Sequence, residues 1–373
     1  MAHTHVDPDG LMEFSVVFTD RSLNHMSAVF QQVMRDISGM LKDVYKADHV
    51  AIVPGGGTYG MEAVARQFGS GAHALIVRNG WFSYRWTQIF DAGQFTAKTT
   101  VFKARQAGND TRAPFAPAPI EDVTQAIREA RPDVVFAPHV ETSAGIILPD
   151  DYITQLAAAA HEVGALMVLD CIASGCVWVD MAATGVDVLI SAPQKGWSAS
   201  PSAGLVMMSN RAKERLDNTA SNSFAIDLKK WSSIMEAYEN GGHAYHATMP
   251  TDALRAFRDT MVETRDYGFE KLRDAQWELG NAVREMLREK GIKSVAADGY
   301  GAPGVVVSYT DDPDIQNGKK FAALGMQIAA GVPLQCDEPS DFRTFRLGLF
   351  GLDNLYDVAD TVERLRGVVD QVL

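Results

Sequence analysis

The stretch that decides the fold covers residues 165–208 and reads ALMVLDCIASGCVWVDMAATGVDVLISAPQKGWSASPSAGLVMM. It contains short apolar runs at residues 166–169, 186–190 and 204–208. Runs of this length, bounded by small and polar residues, are typical of buried strands in a parallel sheet. The first run ends on Asp170, and the second continues into a loop of small residues that carries Lys195. We therefore predict an acid and a lysine at the carboxyl ends of neighbouring buried strands.

The placement of Asp170 and Lys195 favours a functional interpretation, because burying either charge without a partner is costly. Open α/β sheets bind their ligands at the carboxyl ends of the strands. In a poorly solvated pocket the pKa of a lysine falls, and its neutral amine can form a Schiff base with an aldehyde. A carboxylate can keep the pyridine nitrogen of pyridoxal phosphate protonated. The alternatives are a surface lysine and a carboxylate that caps a helix or loop.

Strand and helix patterns alternate from about residue 49 to residue 208, which predicts an α/β fold with a mostly parallel sheet covered by helices on both faces. The last hundred or so residues have the pattern of a smaller α+β unit. We accordingly expect an N-terminal arm at residues 1–20, a large α/β domain at 21–250, and a linking helix with a small C-terminal α+β domain at 251–373.

Composition excludes several classes of function. A net charge of −13, with no basic run, argues against nucleic acid as a partner. No segment approaches the roughly 20 uninterrupted apolar residues of a membrane helix, and the first ten residues have no features of a signal peptide. The three cysteines, Cys171, Cys176 and Cys336, lack the spacing of a metal site and are too few for a disulfide framework. We therefore expect a cytoplasmic protein without a bound metal.

A glycine-rich turn follows the predicted strand at residues 49–53 and opens a helix, with the spacing Gly55-x-Gly57-x-x-Gly60. Backbone N–H groups and the helix dipole at such a turn can hold a phosphate. A dinucleotide site also needs an acid at the end of the next strand, and that strand ends at Arg78 and Asn79 instead. The pattern thus favours an anion site over a dinucleotide site, and the remaining alternative is a tight turn.

Two further positions have the chemistry to contact a flat, charged ligand. Trp81 or Phe82, after the strand at 74–77, could stack on a ring, although either could instead pack in the core. Residues 342–349 are predicted to form an edge strand, in which Arg346 faces away from Phe345 and Leu347. A guanidinium there can bind a substrate carboxylate through two hydrogen bonds, and the alternative is an exposed strand arginine.

Several short motifs occur together along residues 20–373. They are GGGTYGMEA at 55–63, NGWF at 79–82, HVETSAG at 139–145, VLD at 168–170, SAPQKG at 191–196, AYHATMP at 244–250 and FRLGLFG at 345–351. In this combination and order the chain resembles the class V aminotransferases of fold type I, closest to the alanine–glyoxylate and serine–pyruvate group. The resemblance implies a seven-stranded, mostly parallel sheet in the large domain, with pyridoxal 5′-phosphate as the cofactor.

The resemblance also implies a role for each matching position. Lys195 would be the Schiff-base lysine, Asp170 the partner of the pyridine nitrogen, and Arg346 the ligand of the substrate α-carboxylate. The remaining cofactor contacts would be Gly56, Gly57, Thr58 and Gln194 at the phosphate, Thr142 near the phenolic oxygen, Phe82 at the stacking position, and Tyr245 and Thr248 at the phosphate of the neighbouring subunit. A homodimer with shared active sites follows from the last pair.

The resemblance implies transfer of an amino group from a small L-amino acid, of the alanine or serine type, to a 2-oxo acid such as glyoxylate or pyruvate. Two departures are visible. Trp81 stands one residue before the stacking position, and the family's N-terminal glycine–proline motif is replaced by Phe14-Ser15-Val16-Val17-Phe18.

Three other functions are alternatives for this sequence. A class V lyase or desulfurase would need a nucleophilic cysteine on a mobile loop, for which Cys336 is the candidate. In that group a histidine precedes the lysine, where Gln194 stands here. A nucleotide-dependent dehydrogenase could use residues 55–60, but the ribose-binding acid is missing. A non-catalytic binding protein would have no need of both Asp170 and Lys195.

Overall fold

The structure is a computed structural model that describes residues 6–12, 14 and 21–373. The predicted N-terminal arm, at residues 1–20, and the segment at 14–18 lie largely outside the described residues.

The strands are short and mostly buried, as the apolar runs predicted. In chain order they are β1 (His49–Pro54), β2 (His73–Arg78), β3 (Lys98–Lys103), β4 (Arg105–Gln106), β5 (Phe115–Ala116), β6 (Val134–Pro138), β7 (Val140–Glu141), β8 (Ile146–Ile147), β9 (Leu166–Asp170), β10 (Val188–Ser191), β11 (Ala203–Met208), β12 (Val305–Tyr309), β13 (Ala329–Ala330) and β14 (Thr344–Gly348).

The helices follow the amphipathic segments. In chain order they are α1 (Ala28–Tyr45), α2 (Gly57–Phe68), α3 (Trp81–Gly93), α4 (Ile120–Ala130), α5 (Asp150–Glu162), α6 (Met181–Thr184), α7 (Asn210–Asp217), α8 (Leu228–Glu239), α9 (Thr251–Tyr267), α10 (Phe269–Glu289), α11 (Pro313–Gln316), α12 (Lys319–Ala322), α13 (Leu352–Tyr356) and α14 (Val358–Val372).

Within the described residues the main sheet has seven strands, in the order β1-β11-β10-β9-β6-β2-β3. The pairs β10–β9, β9–β6, β6–β2 and β2–β3 are parallel, and β11 is antiparallel to both of its neighbours, β1 and β10. The predicted α/β fold with a mostly parallel, seven-stranded sheet is therefore confirmed. Asp170 is the last residue of β9 and pairs in register with Ile190 of β10. The ends of β2, β6, β9 and β10 consequently meet at one edge, where a ligand can bind.

Helix α2 packs on β11 at a point where both backbones carry glycine. A Cβ at Gly204 would lie 2.6 Å from the Cα of Gly60, a distance that real Cβ atoms do not show. The third glycine of the turn motif is thus required by close helix–strand packing. This contact fixes the amino end of α2 against the main sheet.

A second sheet has the order β12-β14-β13, so β14 is its central strand. The predicted edge position of residues 342–349 is wrong. The strand that covers this edge, β13, is only Ala329–Ala330, and two exposed alanines leave no periodic pattern that a sequence could show. The alternation within β14 is confirmed, because Phe345 and Leu347 are buried while Arg346 between them is half-buried.

Buried hydrophobic side chains form three clusters among the described residues. The largest surrounds the main sheet and extends from Leu23 to Met261. Another joins α10 and α14 to the β12-β14-β13 sheet, and a third lies around β8 and β12. The predicted domain boundaries at residues 20 and 250 stay a prediction. Across the described chain, none of the helices combines the length and the apolar character that crossing a membrane requires.

Candidate active site

A cavity of about 450 Å³ lies at the carboxyl ends of the parallel strands and extends to the β12-β14-β13 sheet. It brings together side chains and backbone from segments that are far apart in the chain. The predicted site residues that line it are Gly56, Gly57, Thr58, Phe82, Thr142, Asp170, Gln194, Lys195 and Arg346. Because charged groups from both sheets meet here, this cavity is the candidate active site.

Lys195 lies in the loop that follows β10 and is half-buried. Burial lowers the pKa of its amine, and the nearby positive charge of Arg346 lowers that pKa further. Its Nζ lies 5.3 Å from the centre of the Phe350 ring. No other described residue forms a hydrogen bond or ion pair with this Nζ. Lys195 therefore presents an amine that loses its proton more readily than a surface lysine, as a nucleophile must.

Asp170 lies below the same cavity and is only 7% exposed. Its Oδ1 accepts a hydrogen bond from the N–H of Ile172 at 2.9 Å, and no further hydrogen bond reaches the carboxylate from the described residues. Burial raises the pKa of Asp170 to about 7, and the nearby Glu141 adds to this effect. A cationic ring nitrogen in the cavity would provide the missing countercharge, so the environment of Asp170 fits a pyridinium partner.

The phosphate end of the candidate site is the amino terminus of α2. Because α2 begins at Gly57, its first N–H groups have no carbonyl partner within the helix. A Cβ at Gly56 would meet no atom within 4 Å, so the backbone is open to the cavity. Gln194 also lines this end of the cavity, where the NH₂ group of its side-chain amide can donate a hydrogen bond to an anion. These features fit the phosphate of the predicted cofactor.

Phe82 lines the cavity at the first turn of α3, and Trp81 does not. The guanidinium carbons of Arg85 and Arg346 lie 5.3 and 5.6 Å from the centre of the Phe82 ring. Trp81 instead lies near Tyr84, with ring centres 5.9 Å apart. The geometry thus favours Phe82 as the residue that contacts a flat ligand, and its role stays a prediction.

Arg346 reaches the cavity from the central strand β14. Its Nε donates a hydrogen bond to the carbonyl oxygen of Ala330 at 2.8 Å, which orients the guanidinium. Burial lowers the pKa of Arg346, and Glu141 partly offsets this. Its two Nη atoms form no hydrogen bond or ion pair with the described residues. They are available to a carboxylate of a ligand.

Sequence patterns did not single out Arg85 or Phe350, which also line the cavity. Arg85 lies one helical turn after Phe82, and its Nη1 donates a hydrogen bond to Oγ1 of Thr58 at 2.9 Å. The i, i+3 spacing from Phe82 was the signal that could have found it. Other apolar residues of the wall are Val140, Ile172, Ala173, Val305 and Ala329. The cavity therefore combines these apolar side chains with the charged groups described above.

Tyr245 and Thr248 do not line this cavity. Tyr245 is 58% exposed, and its hydroxyl lies 3.3 Å from Oγ1 of Thr248. Their predicted contact with a neighbouring subunit stays a prediction.

Cys336, the candidate nucleophile of a desulfurase, does not line the cavity either. It is 5% exposed, and its thiol donates a hydrogen bond to the carbonyl oxygen of Arg78 at 3.4 Å. Burial raises the pKa of this thiol to about 12, so the nucleophilic thiolate is disfavoured. The described residues also contain no group of three or more histidine, cysteine or acidic side chains that could hold a metal ion.

Comparison with known proteins gives a consistent set of similarities. Residues 13–302 match the family model described as aminotransferase class-V. Alanine–glyoxylate aminotransferase 1 of Saccharomyces cerevisiae is 25% identical, and the match covers 83% of this chain and 82% of that protein. The small subunit of a soluble hydrogenase of Synechococcus sp. is 24% identical, with 94% and 88% covered. The crystal structure of an alanine–glyoxylate aminotransferase from Nostoc sp. superposes with a TM-score of 0.79 at 23% identity, over 94% of this chain and 89% of that chain.

Proposed function

The chain belongs to the class-V aminotransferase family, whose cofactor is pyridoxal 5′-phosphate, and from this premise we propose the substrates and the roles of its residues. It transfers an amino group from a small L-amino acid, of the alanine or serine type, to a 2-oxo acid such as glyoxylate or pyruvate. The names of the yeast and Nostoc relatives support this choice. The observation that carries the proposal is the meeting of Lys195, Asp170 and Arg346 in one cavity.

Pyridoxal 5′-phosphate, when bound, supplies a carbonyl that takes up an amino group and a ring that accepts electrons. Lys195 would bind that carbonyl through its amine and, once freed by the substrate, move the proton of the substrate Cα as a general base and acid. Its lowered pKa supports these roles, because the neutral amine is the nucleophile and base, and its ammonium form is a stronger acid than that of a surface lysine. Asp170 would hold the proton of the ring nitrogen through its ionised carboxylate.

The phosphate would bind the open N–H groups of Gly57 and Thr58, beside Gly56, with Gln194 as a further partner. The amino terminus of α2 favours this through its dipole. Thr142, at the cavity wall, would lie near the phenolic oxygen. Phe82 would stack on the ring.

Arg346 would bind the α-carboxylate of the substrate with its two free Nη atoms. The side chain of the substrate would then face the apolar wall formed by Val140, Val305, Ala329 and Phe350. Of the other cations that line the cavity, Lys195 would bind the cofactor and Arg85 is bound to the hydroxyl of Thr58 at the phosphate end. The apolar wall itself carries no charged or hydrogen-bonding side chain. It therefore favours small, uncharged side chains over dicarboxylic ones.

We also propose that the chain works as a homodimer with shared active sites and is located in the cytoplasm. Tyr245 and Thr248 would then contact the phosphate bound in the partner subunit. This is supported by the exposure of Tyr245 and by its position outside the cavity of its own chain.

The proposed function is tested by an absorbance spectrum and a donor screen. The purified chain with added pyridoxal phosphate should show a near-visible band of lysine-bound cofactor, which borohydride removes and Lys195→Ala lacks. Lys213→Ala is the matched control, because this lysine lies in α7 and pairs with Asp217 at 2.8 Å. Alanine or serine with glyoxylate or pyruvate should then give ping-pong kinetics. A wild-type chain that gains no band would refute the cofactor site, and activity confined to dicarboxylic donors would refute the substrate class.

A further inference from the structure

A buried carboxylate beside the cavity has no role in the function described so far. Glu141, at the end of β7, has no exposed surface, and no described cationic side chain lies within ion-pair distance. Its Oε1 accepts hydrogen bonds from the N–H of Phe82 at 3.2 Å and from the N–H and hydroxyl of Ser143 at 3.0 and 2.7 Å. Its Oε2 accepts from the N–H and hydroxyl of Ser83 at 2.8 and 2.7 Å. Hydrogen bonds from the described residues thus take the place of an ion pair at this carboxylate, which sits at the positive end of α3.

The segment around Glu141 caps the first turn of α3 from another part of the chain. The N–H groups of Trp81, Phe82 and Ser83 have no partner within the helix, as at any helix start. Glu141 binds the second and third, and the hydroxyl of Ser143 accepts from the first at 2.9 Å. The approach is so close that a Cβ at Gly80 would lie 2.8 Å from the Glu141 carboxyl carbon.

The turn that Glu141 caps is the one that faces the candidate active site. It carries Phe82, which lines the cavity, and one turn later Arg85, which binds the hydroxyl of Thr58. A shift of this turn would therefore move a stacking ring and a cation near the phosphate end together. Glu141 itself does not line the cavity, so apart from its electrostatic effect on Asp170 and Arg346 it reaches a ligand only through these neighbours.

We propose that Glu141 is a positioning residue, whose carboxylate holds the first turn of α3 so that Phe82 and Arg85 meet the cofactor. This rests on the proposed function for the identity of the cofactor. Replacement by glutamine keeps the size of the side chain but puts an NH₂ group against an N–H donor on one side. The turn then loses hydrogen bonds to one of the two carboxylate oxygens, and with them its fixed orientation.

The test compares Glu141→Gln with Asp187→Asn. Asp187 is a matched control because it is also a buried carboxylate that accepts a backbone N–H, from Met167 at 2.8 Å. It lies just before β10, at the opposite end of the strands from the cavity. Both variants should lower the melting temperature. Only Glu141→Gln should weaken pyridoxal phosphate binding, by about tenfold, and reduce the visible circular dichroism of the bound cofactor.

Ser143→Ala provides a second, milder variant if Glu141→Gln does not fold, because it removes one cap of α3 and keeps the carboxylate. It should weaken cofactor binding by a smaller factor in the same direction. Equal destabilisation in Glu141→Gln and Asp187→Asn, with wild-type cofactor affinity and dichroism in both, would overturn the proposal. The wild-type spectrum is recorded first. If the wild-type chain gains no near-visible band, the proposed cofactor site is refuted, whereas a normal wild-type band with unchanged variants refutes only the role of Glu141.

Discussion

Arg346 on β14 and Phe82 on α3 are in cation–π contact, with the guanidinium carbon 5.6 Å from the ring centre. Arg346 belongs to the three-stranded sheet, whereas α3 follows strand β2 of the main sheet, and the two side chains meet at the cavity. In the proposed function one binds the substrate carboxylate and the other the cofactor ring. In that arrangement the contact would hold the substrate-binding cation beside the cofactor ring.

Arg346→Lys should raise the KM for the amino donor by roughly 10-fold or more, with a smaller effect on kcat. Lysine keeps the positive charge but cannot form two parallel hydrogen bonds with a carboxylate. Steady-state kinetics of both proteins give KM and kcat separately. Arg343→Lys is the control, because Arg343 precedes the same strand and donates to the carbonyl oxygen of Asp311 at 2.6 Å. Equal effects of the two substitutions on KM would contradict the assignment.

Asp170→Asn should make the cofactor-free chain comparatively more stable as the pH rises. The pKa of Asp170 is raised from 3.8 to about 7 in the folded chain, so between these values the folded state holds more protons than the unfolded state. Stability is then lost as the pH rises through about 7. Between about pH 5 and about pH 8, the free energy of unfolding of the wild-type chain should fall by on the order of 2 kcal/mol relative to that of the variant. Denaturant titrations of both apoproteins measure this difference, and a pH-independent difference would exclude the raised pKa.

Gly204→Ala should destabilise the chain by about 1–3 kcal/mol or more, because the new Cβ would meet the backbone of Gly60, which cannot rotate away. Gly39→Ala is the matched control within α1. Its Cβ would meet no atom within 4 Å, so the substitution should stabilise the chain by about 0.5–1 kcal/mol. Chemical denaturation measures the change in the free energy of unfolding for each variant. The prediction requires a decrease for Gly204→Ala and an increase for Gly39→Ala.

Cys336→Ala should retain transaminase activity within about twofold of wild type, because the buried thiol has a raised pKa and lies outside the cavity. Stability should change more than turnover, since a packed side chain is shortened. Loss of turnover in a chain with wild-type cofactor binding would bring back the desulfurase interpretation.

The shared-site dimer predicts complementation between two inactive chains. A mixed dimer of a Lys195→Ala chain and a Tyr245→Ala chain has one site with both substitutions and one site with neither. It should recover about half of the wild-type activity, because each site combines Lys195 of one chain with the partner subunit's Tyr245. Co-expression with two affinity tags isolates the mixed dimer. No recovery would mean that both residues serve the same chain, or that the chain does not form this dimer.

The parallel sheet and the positions of Asp170 and Lys195 could be predicted because the sequence patterns that indicate them are local. Apolar runs that end on Asp170 or lead into Lys195 indicate strand ends, and the glycine run at 55–57 marks the start of α2. Phe350 gave no such signal, and Arg85 could be found only through its i, i+3 spacing from Phe82, because nothing in the neighbouring residues shows which face of an element meets a cavity. Strand β13 could not be predicted, because two consecutive alanines show no alternation of buried and exposed residues.

By itself the sequence determined the fold class, the alternation of strands and helices between about residues 49 and 208, and the placement of Asp170 and Lys195 at strand ends, because burial and periodicity act along the chain. The tertiary structure alone decided that Glu141 caps α3, that β14 lies between two strands, and that Arg346 reaches Phe82. These contacts join segments distant in sequence. Their geometry depends on how helices and sheets pack, which no local pattern of residues specifies.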